Sequence, residues 1–248
     1  MIQSLIKASN ILEYMKQENK EYTIAEISEG VDMPPSTTHR ILNTLIDCDY
    51  VIKDDRTHLY KLGPGLISLG IAATSNISLQ NDAYPILRAL SRETQEDTFL
   101  IIKSGNKGLV IAKAEGPHPL KVVEHFGLEI PLHMGAIRKV LLAFQPNNYI
   151  DYYLNEKLTP YFNGEIPDKE ALRKDLEQIR NTNISLSTSE YIKNGAGIGA
   201  PVFDYKRDIV ASIGIIAPVY RIQNENQEKL TELVSEYAKE LSRKLGYY

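Results

Sequence analysis

The first sixty residues alternate short amphipathic segments with polar turns. Apolar residues recur at helical spacing over residues 4–16, and a second helix is predicted from Thr23, which opens a T-x-x-E capping box. A third helix is predicted from Pro35, because proline suits the first helical position. Two short strands follow at 50–53 and 58–62, separated by polar turn residues. Three helices and a hairpin in this order predict a winged helix-turn-helix.

The third predicted helix has one polar face. At 100° per residue its apolar side chains point inward together with Thr38, whereas Ser36, Arg40, Asn43 and Thr44 point outward. Small hydroxyls, a guanidinium and an amide are the groups that reach phosphates and base edges in a major groove. This face therefore favours double-stranded DNA as a partner.

The overall charge gives no support to nucleic-acid binding. The chain has 28 Lys and Arg against 32 Asp and Glu, a net charge of −4, and residues 1–75 have seven basic and ten acidic residues. DNA contacts must then be local, with Lys53 and Arg56 of the hairpin predicted to hold phosphates. The alternative is a metabolite-binding protein or enzyme whose N-terminal module serves assembly rather than DNA binding.

Composition excludes several other classes of protein. Hydrophobic residues make up 43% and charged residues 24%, as in globular proteins and unlike disordered chains. The longest nearly apolar stretch, Ile209–Tyr220, is shorter than the roughly 20 residues that span a bilayer. Cys48 is the single cysteine, and His118, His125 and His133 lie without tight pairing, so we expect no disulfide, metal or cofactor. A cytoplasmic protein with no membrane partner is expected.

From Asp82 onward the pattern changes to strands in pairs with helices at both ends. Helices are predicted at 83–94, 137–144, 148–155, 169–180 and 225–245. Strands are predicted at 98–103, 108–114, 121–126, 184–187, 198–204 and 209–217. Asn106 and Lys107 form the expected turn of the first hairpin. The arrangement predicts an α+β fold, an antiparallel sheet with packed helices.

Glycines mark two places in the chain. Gly63-Pro64-Gly65 is the expected boundary between domains, which divides the chain into residues 1–62, a linker helix at 63–81 and a second domain at 82–248. Asn194–Gly199 lacks the Lys-Ser/Thr of a phosphate loop and does not open a helix, so we interpret it as glycines that lead into a strand beside a pocket. With no G-x-S-x-G or H-E-x-x-H motif present, we predict that the chain is not an enzyme.

Three motifs in order resemble those of IclR-type bacterial transcriptional regulators. Residues 35–45 (PSTTHRILNTL) are similar to the family's recognition-helix pattern S-T-x-H/Y-R-L-L-x-x-L. His133 followed by the run 139–143 (KVLLA) resembles H-x-x-x-x-G-K-A-L-L-A. Glu190 followed by Ile198–Asp204 resembles E…I-A-A-P-V-x-D. The resemblance covers essentially the whole chain.

The resemblance implies an N-terminal winged helix-turn-helix, a linker helix and a C-terminal GAF-like effector-binding domain. It implies a homodimer or homotetramer on palindromic operator DNA that represses or activates catabolic genes in response to a small carboxylate-type metabolite. Contacts to DNA would fall on Ser36, Thr37 and Arg40. Contacts to the effector would fall on Met134, Gly135, Ala136, Ile137, Arg138, Glu190, Ile198, Ala200, Gly214 and Ile216.

The chain departs from the family pattern at several effector-binding positions. Arg138 and Asn194 stand where the family tends to have glycine, and Gly214 and Ile216 stand where serine is often found. At these positions the chain would then lack the hydroxyl groups that donate hydrogen bonds to the carboxylate of an effector. Arg138 could replace them with a bidentate guanidinium contact. The alternative, which we favour, is that Arg138 is a surface residue that caps the helix or forms a salt bridge.

Overall fold

The computed structural model describes residues 2–16, 20–75, 78–119, 127–223 and 226–247. The strand expected at 121–126, with His125 in it, lies outside these ranges. The chain divides into two compact units, Met1–Ile77 and Ser78–Tyr248. Of the helices in the described ranges, none has the length and apolar character needed to cross a bilayer.

The first unit has the predicted order of three helices and a hairpin. Its elements are α1 (Gln3–Lys16), α2 (Ile24–Gly30), α3 (Pro35–Asp47), β1 (Val51–Lys53), β2 (Tyr60–Leu62) and α4 (Gly65–Ser75). The capping box is formed, because the Glu26 N–H donates to Thr23 Oγ1 at 3.2 Å and the Thr23 N–H donates to Glu26 Oε2 at 2.7 Å. Ile11, Ile27 and Leu42 are fully buried and join the three helices in one core.

The hairpin and the start of α4 are held by backbone and carboxylate contacts. In the turn, Asp54 Oδ1 accepts from the N–H groups of Arg56 and Thr57, both at 2.8 Å, and these bonds lower the pKa of Asp54. After β2, the Gly65 N–H donates to the Asp49 carbonyl at 2.9 Å. A Cβ on Gly65 would lie 2.8 Å from that oxygen, so glycine permits the close approach. The Gly-Pro-Gly segment is therefore a packed turn.

Helix α4 is apolar but buries none of the side chains that the structure describes in it. Ile67, Leu69 and Ile71 have exposed fractions of 64%, 51% and 63%, with Ile67 and Ile71 on one side of the helix and Leu69 on the opposite side. A helix that is apolar all round is normally covered. This surface is therefore available to another partner.

The second unit is an antiparallel sheet with packed helices, as predicted, and the helices lie on both of its faces. Its helices are α5 (Ser78–Thr94), α6 (Ala136–Ala143), α7 (Asn147–Asn155), α8 (Lys169–Thr182), α9 (Val219–Ile222) and α10 (Asn226–Lys244). Its strands are β3 (Asp97–Ser104), β4 (Lys107–Ala114), β5 (Glu129–Pro131), β6 (Ser185–Thr188), β7 (Gly195–Phe203) and β8 (Ile209–Pro218). The six strands pair in the order β5-β4-β3-β8-β7-β6. The glycine-rich run forms the first part of β7, which begins at Gly195, three residues before the predicted strand.

Each face of the sheet has its own hydrophobic core. Helices α5 and α10 pack on one face, around side chains such as Leu90, Ile198 and Val234. Helices α6, α7 and α8 pack on the other, around Ile137, Leu154 and others. Since side chains alternate along a strand, neighbouring residues of one strand belong to different cores.

The turn between β3 and β4 lies one residue earlier than predicted. Ser104 pairs with Lys107, so the two turn residues are Gly105 and Asn106. Gly105 supplies the left-handed conformation, with φ of 57°. Gly108 lies within β4 instead, where a Cβ would come within 2.8 Å of Arg138 Cγ. The prediction was wrong because Gly108 serves close packing and not the turn.

Two paired glycines let α6 lie directly on the sheet. Gly199 of β7 is opposite Gly214 of β8. A Cβ on Gly199 would come within 2.6 Å of Ile137 Cα, and a Cβ on Gly214 within 2.7 Å of Ile137 Cγ1. The backbone of α6 thus occupies the space that two side chains would need, and this sets the position of the residues at its start.

A methyl group added at Gly214 should destabilise the second unit. In Gly214→Ala the new Cβ would press against Ile137 and would overlap the carbonyl oxygen of Ile198. We expect a loss of about 2 kcal/mol in the free energy of unfolding, as for other overpacked cores, measured by urea denaturation. Gly197→Ala is the matched control, because the atoms nearest to its Cβ are 3.4 Å away. Equal stability of the two variants would contradict the role given to the paired glycines.

Candidate functional site

The polar face of α3 is exposed in the first unit. Ser36, Arg40, Asn43 and Thr44 are exposed and Thr37 is half-buried. On the opposite side, Thr38, Leu42 and Leu45 are buried in the core. The structure therefore places the residues predicted to contact DNA along one accessible helix surface.

On this face, the side chain of Arg40 is free to contact a partner. Among the described residues, its guanidinium forms no ion pair or hydrogen bond. Thr44 Oγ1 donates to the Arg40 carbonyl at 3.2 Å. The hydroxyl proton of Thr44 is used in this bond, so its oxygen can still accept a hydrogen bond from a partner. A free guanidinium on an exposed helix can form a bidentate contact with a guanine edge or a phosphate.

The two basic residues of the hairpin lie in different settings. Lys53 is half-buried, with Nζ 5.6 Å from the centroid of the Tyr60 ring. Arg56 is exposed at the turn, where Asp54 orders the backbone. Arg56 is accordingly the more accessible of the two predicted phosphate contacts.

In the second unit, side chains from β6 and the segment after it cap the start of α6. Gly135, with φ of 85°, donates its N–H to Glu190 Oε2 at 2.9 Å, and Ala136 donates its N–H to Ser187 Oγ at 2.9 Å. A carboxylate at this end of a helix also interacts favourably with the helix dipole. The contacts hold the connection from β6 to β7 against α6.

A buried ion-pair network lies one turn further along α6. Lys139 Nζ donates to Glu190 Oε1 and to Asp175 Oδ2, both at 2.6 Å, and its side chain is only 3% exposed. Burial alone would lower the pKa of Lys139, but the two carboxylates outweigh it and raise the pKa. Lys139 is therefore charged and structural, and both oxygens of Glu190 are engaged by α6.

A small cavity lies beside this network. It measures about 20 Å³, which is room for one water molecule and not for a metabolite. Its walls come from α6, β7, β8 and the connection between β6 and β7. They are formed by Gly135, Ala136, Ile137, Arg138, Ser187, Glu190, Tyr191, Ile192, Gly195, Ala196, Gly197 and Ile216.

Arg138 is buried in the wall of the cavity, with an exposed fraction of 1%. Its aliphatic stem packs against Gly108, and its guanidinium carbon lies 5.2 Å from the centroid of the Tyr191 ring. The interpretation of Arg138 as a surface residue is therefore wrong. The absence of a side chain at Gly108 creates the space for it, and no feature of the local sequence around Arg138 indicates this.

Six of the ten predicted effector contacts meet at the cavity. They are Gly135, Ala136, Ile137, Arg138, Glu190 and Ile216. Of the other six lining residues, Gly195, Ala196 and Gly197 belong to the glycine-rich run that was expected beside a pocket, whereas Ser187, Tyr191 and Ile192 were missed. The two-residue alternation of β6 could have identified Ser187, whereas Tyr191 and Ile192 lie in an irregular connection whose path the sequence does not predict.

The other four predicted contacts lie elsewhere. Ile198 and Ala200 belong to the core under α5 and α10, because Gly199 between them is the residue that faces α6, and this corrects their assignment. Gly214 lies beneath Ile137 without lining the cavity, and Met134 is buried in the turn before α6.

The connection that closes the cavity is held at several points. Ser189 and Asn194, near its ends, have φ of 55° and 57°. Asn194 thus adopts the left-handed conformation for which the family uses glycine, and asparagine tolerates it best among the larger residues. The Glu190 carbonyl also accepts from the Phe162 N–H at 2.8 Å. The segment is fixed to α6 and to a neighbouring loop.

His133 anchors the turn before α6. It is buried, with Nδ1 2.7 Å from the Tyr153 hydroxyl and Nε2 2.9 Å from the Thr159 carbonyl. Because a carbonyl can only accept, Nε2 carries the proton and Nδ1 accepts from Tyr153. Within the described ranges, no group of three His, Cys, Asp or Glu side chains is placed to hold a metal ion.

Two family models match the chain. The model described as "Bacterial transcriptional regulator IclR C-terminal" matches residues 71–243, and the "IclR helix-turn-helix domain" matches residues 4–55. Among curated proteins, the chain is 29% identical to the HTH-type transcriptional regulator KipR of Bacillus subtilis, over 91% of this chain and 90% of KipR. It is 27% identical to the HTH-type transcriptional repressor AllR of Escherichia coli, over 98% of this chain and 90% of AllR.

A solved structure has the same fold. It is an IclR homologue from Microbacterium hydrocarbonoxydans complexed with 4-hydroxybenzoate. The TM-score is 0.85 at 20% sequence identity, and the match covers 98% of each chain. A protein with a different sequence therefore forms the same order of helices and strands.

The pH dependence of stability should report on His133. Burial lowers the pKa of His133 below the value of about 6.5 that it has in the unfolded chain. When the pH falls just below that value, the unfolded chain therefore binds a proton at this residue and the folded chain does not. The stability that neutral His133 contributes is present above that pH and is lost as the pH falls. We expect the urea midpoint of His133→Gln to change less than that of the wild type between about pH 7.5 and about pH 5.

The matched control is His39→Gln, because His39 is exposed on α3. It should keep the wild-type slope of stability against pH. An identical slope in His133→Gln and the wild type would show that other groups cause the dependence.

Proposed function

Because the chain belongs to the IclR family of bacterial transcriptional regulators, we propose that it binds operator DNA through α3 and the hairpin. The observation that carries this proposal is the exposed polar face of α3 with the free guanidinium of Arg40. We place the protein in the cytoplasm, where bacterial DNA lies. Its target would be a catabolic operon, repressed or activated by the bound protein.

The individual contacts follow from chemistry and accessibility. Ser36, Thr37, Arg40, Asn43 and Thr44 are assigned to the major groove, with Arg40 as the main base or phosphate contact. Lys53 and Arg56 are assigned to the phosphate backbone beside it. We retain residues 1–62 as the DNA-binding domain, 63–81 as the linker helix and 82–248 as the effector-binding domain.

We propose that the protein acts as a homodimer or homotetramer. One copy offers few cations to DNA, so binding to two half-sites of a palindrome would supply the affinity that a single copy lacks. The apolar helix α4 supports this, since Ile67 and Leu69 are 64% and 51% exposed in the part of the chain that the structure describes.

For the effector, we propose a small carboxylate that binds in the cavity at the start of α6. Arg138 in the cavity wall supplies the guanidinium for a carboxylate, and its position against Tyr191 fixes its direction. The cavity of about 20 Å³ must enlarge, so we propose that the connection from β6 to β7 moves away from α6 on binding. The ligand changes DNA binding only if it favours one arrangement of the protein.

Replacement of Arg40 tests the DNA-binding proposal. Fluorescence anisotropy with DNA from the region beside the gene should show that Arg40→Ala weakens binding at least about tenfold, the loss of one bidentate contact. Wild-type affinity should fall as salt concentration rises. Lys174→Ala, an exposed charge on α8, should bind like the wild type. Unchanged affinity of Arg40→Ala would refute the assignment of α3, and no preference over random DNA would favour the assembly alternative.

Replacement of Arg138 tests the effector proposal. Arg138→Met keeps an aliphatic stem over Gly108 and removes the guanidinium, so DNA affinity without effector should stay within about twofold of the wild type. The shift in DNA affinity caused by a panel of small carboxylic acids, including 4-hydroxybenzoate, should be lost. If Arg138→Met responds to an acid as the wild type does, Arg138 is not the carboxylate contact.

A further inference from the structure

A second cleft lies on the opposite face of the sheet, between α5 and the segment that follows β4. It measures about 620 Å³, which is within the usual range for sites that bind small molecules. Its lining residues are Tyr84, Arg88, Ser91, Arg92, Gln95 and Lys113–Pro117. None of the residues assigned above to DNA or effector lines it.

Two arginines form the helical wall of this cleft. Arg88 and Arg92 are exposed and lie one turn apart on α5, with the half-exposed ring of Tyr84 one turn before them. Within the described ranges, neither guanidinium forms an ion pair or a hydrogen bond. Like charges at this spacing repel each other, so the pair is destabilising unless an anion lies between them.

Three carboxylates near this pair are each bound by a group other than the two arginines. Glu115 is bound by Lys113 at 2.6 Å, Glu93 by the Tyr237 hydroxyl at 2.7 Å, and Glu96 by Arg221 at 2.8 Å. Among the residues that line the cleft, Arg88, Arg92 and Lys113 are basic and only Glu115 is acidic, so the lining is positively charged in a protein whose net charge is −4.

The cleft also has a polar floor and a fixed far wall. Ser91 is only 3% exposed, yet it lines the cleft, and its hydroxyl has no hydrogen-bond partner among the described residues. Opposite it, the Gly116 N–H donates to Asp97 Oδ1 at 2.7 Å. A Cβ on Gly116 would lie 2.7 Å from the Gln95 carbonyl oxygen, so this wall packs tightly against the end of α5.

We propose that this cleft binds a small organic phosphate with a planar group. Paired guanidinium forks match phosphate oxygens bidentately, and the Ser91 hydroxyl can donate to the same group. The exposed ring of Tyr84, in line with the arginines, provides a surface on which a planar group can stack. The site shares no lining residue with the cavity at α6, so a phosphate bound there would act as a second input to the regulator.

Isothermal titration of the full chain with ADP, pyrophosphate and adenosine tests the proposal. ADP should bind more tightly than pyrophosphate or adenosine. The double variant Arg88→Gln/Arg92→Gln should lose at least about tenfold in affinity for ADP and pyrophosphate. Tyr84→Ala should weaken ADP binding but leave pyrophosphate binding unchanged. All three substitutions are at exposed positions, and unchanged thermal unfolding confirms that the variants fold.

The matched control is Lys174→Gln, which removes one exposed positive charge from α8 on the other face of the sheet. It should bind ADP as the wild type does. The proposal is overturned if neither ADP nor pyrophosphate binds at millimolar concentration, or if the double variant keeps wild-type affinity. It is also overturned if the double variant changes the sedimentation of the protein while no anion binds, because the cleft is then a contact between copies. None of these outcomes depends on DNA binding.

Discussion

The close approach of α6 to the sheet determines most of the second unit. Because Gly199 and Gly214 have no side chains, Ile137 occupies the surface of β7 and β8 directly. The next two residues of α6, Arg138 and Lys139, are then drawn below the protein surface. Burial of a cation requires compensation, and the carboxylates around Lys139 supply it. The cavity, the ion pairs and the fixed connection from β6 to β7 all follow from this contact.

The sequence predicts the elements well where local chemistry determines them. The capping box at Thr23 and the proline at the start of α3 are read correctly because each acts within a few residues. The turn at Gly105 was misplaced by one residue, since Gly108 is explained by its packing against Ile101 of the neighbouring strand and Arg138, thirty positions later in the chain. The positions of such glycines are determined by contacts between residues that are distant in the sequence, and no local sequence pattern predicts those contacts.

The candidate sites divide in the same way. The polar face of α3 follows from helical periodicity, so its exposed residues could be predicted. At the cavity, the motif positions at the start of α6 line the wall, but Ile198 and Ala200 face the other core because every second residue of β7 does. Burial of Arg138 and the partnership of Asp175 with Lys139 depend on tertiary packing and could not be predicted.

The small volume of the cavity has a consequence for the sensitivity of the regulator. A ligand that fits only an opened form binds with an affinity reduced by the fraction of molecules that are open, so a form open about 1% of the time weakens apparent binding about 100-fold. If the effector binds in this cavity as proposed, the contacts of Glu190 with Gly135 and Lys139 help to set that fraction, because they hold the connection from β6 to β7 against α6. The concentration at which the regulator responds can therefore change in evolution while the chemistry it recognises stays the same.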